Sequence, residues 1–406
     1  MKPISLAAIV LLCSCALFAT PGCAHLDAQQ QASAGSTAAP SDSTSTQGAH
    51  TTLVDNFRNT DLGNGWQPTG SMELQYARCF TVDYYEGGYA LVCVADKNRY
   101  LVIPPNAEVP QGIASDIVLL KQPISDVYLA ASDSLCLFEA LDAQDCISVS
   151  GIERDDWYSD SMKQAMDQGR VAYGGKYRAP DYELLLSRGV RLALESTMIN
   201  HTPAVRDKLF ELGIPVLVEL SSYESEPLGR AEWIRLYGML CNKDDLAQQV
   251  CAEQVAQVEA LDNEPTGKTV AFFYFNGSGA PVVRKPGDYV TRMIEIAGGT
   301  YAFSDLEQAS AGSSTLTLQM EQFYATAKNA DVLIYNSSID NTVSSLDELK
   351  EKNELLGNFK AVQNGDVWVT GHNMYQQMIQ TGSIISDFGH VLRGTTEGVT
   401  HLRRLT

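Results

Sequence analysis

Between Gly238 and Pro265 the chain reads Met239-Leu240-Cys241-Asn242-Lys243-Asp244-Asp245-Leu246-Ala247-Gln248-Gln249-Val250-Cys251-Ala252-Glu253-Gln254-Val255-Ala256-Gln257-Val258-Glu259-Ala260-Leu261-Asp262-Asn263-Glu264, with no glycine and no proline. Leu246, Val250, Cys251, Val255, Val258 and Leu261 mark one helical face. Asn242 followed by Asp245 offers a cap at its start. A helix over most of 242–265 spans roughly 30 Å at about 1.5 Å per residue, the width of a small domain. That is enough to bridge two lobes.

On both sides of this stretch the pattern alternates between β-rich and helical runs. Before it, strands are expected at Asp126–Ala130, Cys146–Val149, Val190–Leu194 and Pro215–Leu220, with helices at Tyr158–Gln168, Pro180–Ser187 and Pro203–Leu212. After it come a strand at Thr269–Phe275, helices at Tyr289–Ala297 and Met320–Ala327, strands at Val332–Tyr335 and Val367–Thr370, and a closing helix at Tyr375–Leu392. Alternation of this kind predicts an α/β protein of two Rossmann-like lobes, 56–241 and 266–406, joined by one long helix at 242–265 with a ligand cleft between them. Two further runs, 74–84 and 89–103, flank Glu86-Gly87-Gly88 and predict an extra N-terminal β-hairpin.

The composition fits such a body. The chain has 406 residues, 45% hydrophobic and 19% charged, long enough for two lobes with real cores. Its 49 acidic and 29 basic side chains leave a net charge of −20, which argues against nucleic-acid partners.

Residues 1–23 read as an export signal: Met1 and Lys2 precede an apolar run too short for a membrane span. The run ends in Thr20-Pro21-Gly22-Cys23, which resembles a bacterial lipobox and makes Cys23 the lipidation residue, with Cys15 as a competing site. Residues 24–55, rich in Gln, Ser, Thr and Ala, are expected to be a disordered tether. Export would then leave the body lipid-anchored on the outer face of the cell membrane, in the periplasm where an outer membrane exists. Six cysteines lie beyond the signal, and Cys79 could pair with Cys93 across the hairpin, or all six could be buried thiols.

The most specific stretches are Tyr173-Gly174-Gly175-Lys176-Tyr177-Arg178-Ala179-Pro180-Asp181-Tyr182-Glu183, Gly213-Ile214-Pro215-Val216, Ser222-Tyr223-Glu224-Ser225-Glu226-Pro227-Leu228-Gly229-Arg230-Ala231-Glu232-Trp233-Ile234, and Met293-Ile294-Glu295-Ile296-Ala297-Gly298-Gly299. Over about residues 115–395 the chain resembles the helix-bridged substrate-binding proteins of ABC importers for iron complexes, haem and cobalamin. The resemblance implies a monomer that carries a siderophore, haem or a corrinoid, holds no covalent cofactor, and docks on an ABC permease dimer with its ATPase. By motif position Glu183 and Glu295 would be the exposed carboxylates that meet arginines of the permease, one on each lobe.

Ligands of two-lobed α/β proteins sit at the carboxyl ends of strands. That rule selects Tyr173, Tyr177 and Arg178 before the Glu183 helix, then Met198, Asn200 and His201 after the strand at 190. It also selects Asn276 and Arg284 after the strand at 269, and His372, Asn373 and Tyr375 after the strand at 367. The tyrosines would ligate ferric iron or stack on a macrocycle, and the arginines would clamp carboxylates. A bare-metal receptor of the related branch would need three or four His and carboxylate ligands, which His201 and His372 could supply only in part. An adhesin or sensor retaining the fold is the remaining alternative. An enzyme is disfavoured, because Gly-x-Ser-x-Gly, P-loop and His-Glu-x-x-His patterns are all missing from the sequence.

Overall fold

The computed structural model describes residues 56–262, 264–306 and 314–406. The expected signal, both candidate lipidation residues Cys23 and Cys15, and the tether 24–55 lie outside the described residues.

The N-terminal hairpin is part of a larger sheet. Strands Gly70–Ser71 (β1), Phe80–Tyr84 (β2), Ala90–Val94 (β3), Arg99–Ile103 (β4) and Ile117–Lys121 (β5) pair in sequence order, antiparallel except for the parallel β4–β5 pair. The β2–β3 turn falls on Gly87 and Gly88, whose φ values of 78° and 82° glycine adopts without strain. The run expected at 89–103 divides at Asp96, whose carboxylate accepts the Asn98 amide (3.0 Å) in a turn before β4. Both faces are covered: Phe80, Val82 and Val92 join the first lobe's core, while Leu91, Cys93 and Leu101 form a small core with Phe57 and Leu62. Cys79 belongs to the first of these cores and Cys93 to the second, so the Cys79–Cys93 pairing is not made and both thiols are free.

The first lobe's main sheet contains Val127–Leu129 (β6), Ile147–Ser150 (β7), Ala172–Tyr173 (β8), Leu192–Ser196 (β9) and Val216–Glu219 (β10), ordered β10-β9-β6-β7-β8 and parallel throughout. The helices expected between them form at Asp160–Asp167, Tyr182–Ser187 and Pro203–Glu211. Ser159 caps the first through the Met162 amide (3.1 Å) and Asp181 caps the second through the Leu184 amide (3.0 Å), so Pro180 lies just outside its helix. The second lobe contains Thr269–Phe275 (β11), Pro281–Arg284 (β12), Thr300–Tyr301 (β13), Thr315–Thr317 (β14), Val332–Tyr335 (β15), Val367–Thr370 (β16) and Leu402–Arg404 (β17). Their order is β14-β12-β11-β15-β16-β17, with β13 beside β11.

The bridging helix runs over Asp244–Glu259, about 24 Å, shorter than 242–265. Asn242 does not cap its start. It adopts a left-handed conformation (φ 56°, ψ 44°) that ends the preceding helix Ile234–Cys241 and turns the chain into the bridge. Along the bridge, Leu246, Ala247, Val250 and Cys251 pack on the first lobe's core, whereas Val258, with Leu261 just beyond it, packs on the second. Two glycines allow close approach. A Cβ on Gly238 would meet the Ala247 side chain at 2.3 Å, and one on Gly382 would meet the Gln254 carbonyl at 2.5 Å. The helix holding Gly382, Thr381–Leu392, is also shorter than the 375–392 expected, because 3-10 turns occupy Met374–Gln376 and Met378–Gln380. Met378 and Ile379 cross over and pack into the first lobe's core.

Candidate functional site

A cleft of about 500 Å³ lies between the lobes at the carboxyl ends of their strands. The first lobe lines it with Ser132 and Asp133 beyond β6, Ser196 at the end of β9, and Ser222 and Arg230 beyond β10. From the second lobe come Tyr274, Arg284, Asp288, Tyr289 and Tyr375.

Two arginines organise this space. Arg230, on the helix Pro227–Glu232, places its guanidinium 4.0 Å from the centre of the Tyr289 ring across the cleft. Arg284, at the end of β12, lies 5.9 Å from that ring and 5.2 Å from the Tyr375 ring. Both arginines are buried, at 6% and 8% exposure, so they are largely stripped of water before any ligand arrives. Arg284 also contacts Asp288 (3.5 Å) and donates to Ser314 Oγ (3.3 Å) and to the Tyr375 hydroxyl. The Tyr375 oxygen accepts a second bond from Asn336 Nδ2 (2.7 Å), leaving its own proton for a ligand.

Carboxylates balance the guanidinium groups. Burial pushes the Asp133 carboxyl up while Arg230 opposes it, and burial raises Asp288 against the pull of Arg284 and its bond from the Val290 amide. Deeper in the first lobe, burial and the charge of Asp133 push Glu219 up to about 8, even though its Oε1 accepts the Ser221 amide (2.8 Å). An anion entering this cleft would meet two guanidinium groups already largely desolvated by burial, a setting that strengthens charge-assisted Arg–anion pairing.

Of the residues selected by the strand-end rule, Arg284 and Tyr375 line the cleft. Tyr173 ends the edge strand β8, two strands away from β6, and is 41% exposed. Tyr177 packs against the first lobe's core, and Arg178 is exposed beside it. Met198, Asn200 and His201 lie exposed on the 3-10 turn Thr197–His201, beyond the point where β9 delivers Ser196 to the cleft. Asn276 serves its own turn, its Oδ1 accepting from the Ser278 and Ala280 amides (both 3.0 Å). His372 is exposed, with Nδ1 3.1 Å from the Ser337 carbonyl, and Asn373 lines a separate pocket at the contact between the lobes. Glu183 and Glu295 are both exposed, and Glu295 is paired with Arg292 at 3.1 Å.

Arg230, Asp133 and Tyr289 escaped the sequence reading. The same rule, applied to the strands that became β6 and β10, would have drawn attention to Ser132-Asp133 and to 221–230. Among the described residues no group of three His, Cys, Asp or Glu side chains could hold a metal ion, and no helix is long and apolar enough to cross a membrane.

Two α/β lobes, a bridging helix and a charged, aromatic cleft between them define a ligand-binding protein. The chain belongs to the periplasmic binding protein family, whose profile matches residues 135–374. Proteins of this family are substrate-binding proteins, not enzymes, and deliver small ligands to ABC permeases. An uncharacterised lipoprotein of Methanocaldococcus jannaschii is 23% identical over 345 residues, covering 79% of this chain and 81% of the relative. Among solved structures, a periplasmic binding protein of Veillonella parvula superposes with a TM-score of 0.54 at 16% identity, over 67% of this chain and 92% of that one. A periplasmic haem-binding protein of Vibrio cholerae gives 0.52 at 19% identity, over 64% and 97%.

Proposed function

We propose that this protein is the substrate-binding lipoprotein of an ABC importer and carries an anionic iron complex, either a ferric siderophore or haem, or a corrinoid. The observation that carries the reading is the pair of buried arginines, Arg230 and Arg284, one from each lobe, set around the Tyr289 and Tyr375 rings. Guanidinium groups facing aromatic rings suit a ligand with a flat or polyhydroxylated body and peripheral carboxylates or other anionic oxygens. The likeness to a periplasmic haem-binding protein is one of fold, and a ligand of that class is compatible with it. Glu183 and Glu295, exposed on helices of opposite lobes, would be the carboxylates that register the protein on a two-fold permease. Cys23, acylated after export, would keep the body at the membrane surface. Titration of the purified protein with haemin, cobalamin and ferric siderophores, followed by absorbance and by tryptophan quenching, tests the reading. Saturable binding of one ligand at micromolar affinity or better is expected, and failure of all three to bind would overturn it.

A further inference from the structure

The first lobe holds a second chemical feature, remote from the cleft. Cys241 ends the helix Ile234–Cys241, directly before left-handed Asn242 and the bridging helix. Cys146 ends the 3-10 turn Gln144–Cys146 directly before β7, and among the six described cysteines it is the one that is not buried. Residues 124–127 tie the two positions together: the Ile124 amide donates to the Leu240 carbonyl at 3.0 Å, and Val127 pairs with Ile147 across β6 and β7. Both cysteines pack on the same core, with their side chains close enough to interact. The two are 95 positions apart in the chain, so a covalent link would close a large loop.

We propose that Cys146 and Cys241 form a reversible disulfide that staples the sheet of the first lobe to the start of the bridging helix, with a small-molecule or protein disulfide as the oxidant. The half-exposed Cys146 thiolate attacks the oxidant, forming a mixed disulfide and releasing one thiolate. Cys241 gives up its proton to solvent and its sulfur attacks Cys146 Sγ, releasing the second thiolate. Two protein thiols are oxidised to one disulfide, and the oxidant's disulfide is reduced to two thiols. The other four described cysteines are buried, Cys79 and Cys93 in separate cores, and do not enter the exchange.

The test treats the full chain with oxidised glutathione, alkylates free thiols after unfolding, and maps peptides. The expected map joins Cys146 to Cys241, leaves Cys79, Cys93, Cys136 and Cys251 alkylated, and accompanies a thermal midpoint several degrees higher that returns on reduction. Cys241→Ser should arrest Cys146 at the glutathione mixed disulfide, and Cys146→Ser should leave Cys241 unmodified. A map joining any other pair of the six described cysteines, all six left unmodified, or a Cys146 that stops at glutathione in the unmutated chain would overturn the proposal.

Discussion

Replacing Glu195 by Gln should make the protein progressively more stable than the parent as pH rises. Glu195 sits in β9 with no solvent exposure, and neither carboxylate oxygen has a hydrogen-bond partner. Burial therefore raises its pKa from 4.5 to about 8. Because the folded chain holds this proton to a higher pH than the unfolded chain does, the stabilisation is complete below the unfolded value and is lost as pH rises through the interval from 4.5 to about 8. At roughly 1.4 kcal/mol per pKa unit, the loss between pH 4 and pH 7.5 amounts to about 4 kcal/mol. Gln carries no charge to desolvate, so its stability relative to the parent should climb by that order across the interval. Glu219, pushed up to about 8 by burial and by Asp133, is present in both proteins and cancels in the difference. Urea unfolding of both chains at a series of pH values, compared at equal m-value, measures the difference directly. A difference that stays flat from pH 4 to 8 would refute the reasoning, because it would mean that Glu195 is ionised, hydrated or paired in the folded protein.

Arg284→Ala should weaken ligand binding about 10- to 100-fold, the loss of one charge-assisted contact of roughly 1.5–3 kcal/mol, whereas Tyr173→Ala should leave affinity unchanged; calorimetric titration of both variants checks the contrast. Glu183→Ala combined with Glu295→Ala should abolish uptake while leaving affinity intact, as read by transport into cells beside a binding assay. Gln376→Ala removes two bonds between the lobes, from the Tyr158 amide to Oε1 and from Nε2 to the Asp156 carbonyl, both 3.1 Å. Exposed bonds of this kind contribute about 0.5–1 kcal/mol each, so the free protein should shift several-fold toward an open form, visible as a larger radius of gyration in small-angle scattering.

The fold was legible where a run is wholly or mostly buried and bounded by breakers. Thr269–Phe275, Val332–Tyr335 and Val367–Thr370 are strands with the bounds the sequence suggested, because continuous apolar runs of that length suit a sheet covered on both faces. Short or edge pieces were not legible: Thr315–Thr317 and Ala172–Tyr173 contain too few residues for any period to show, and they form because a neighbouring strand offers an edge. The site was legible only in part, for a geometric reason. Strand-end reasoning reaches the segment beyond β10 but does not single out Arg230 within it, which enters the cleft from the helix Pro227–Glu232, and Tyr289 reaches it because Asp288 caps the following helix through the Val290 amide (3.0 Å). In Asn276 the same polar side chain that suggested a ligand contact is consumed by its own turn.

The bridging helix sets how far such a cleft can open. Gly238 brings the first lobe's last helix against Ala247 near one end, and Gly382 brings the second lobe's closing helix against Gln254 further along, where Gln254 Oε1 also accepts the Gly382 amide at 3.1 Å. Each lobe is thus seated on a different turn of one rigid rod, with no extended linker between the seats. Met378 and Ile379, built into the first lobe's core from beyond β16, add a second crossing. Wide hinge opening would have to peel these apolar contacts apart, at a cost set by buried area of roughly 25 cal/mol per Å². Small rocking motions would break rim contacts such as the Gln376 bonds and the 3.6 Å approach of Arg292 to Glu226. A ligand gripped by Arg230 and Arg284 bears on both sides of that small motion, so capture would change the relation between the lobes slightly and leave Glu183 and Glu295 near the separation they already have.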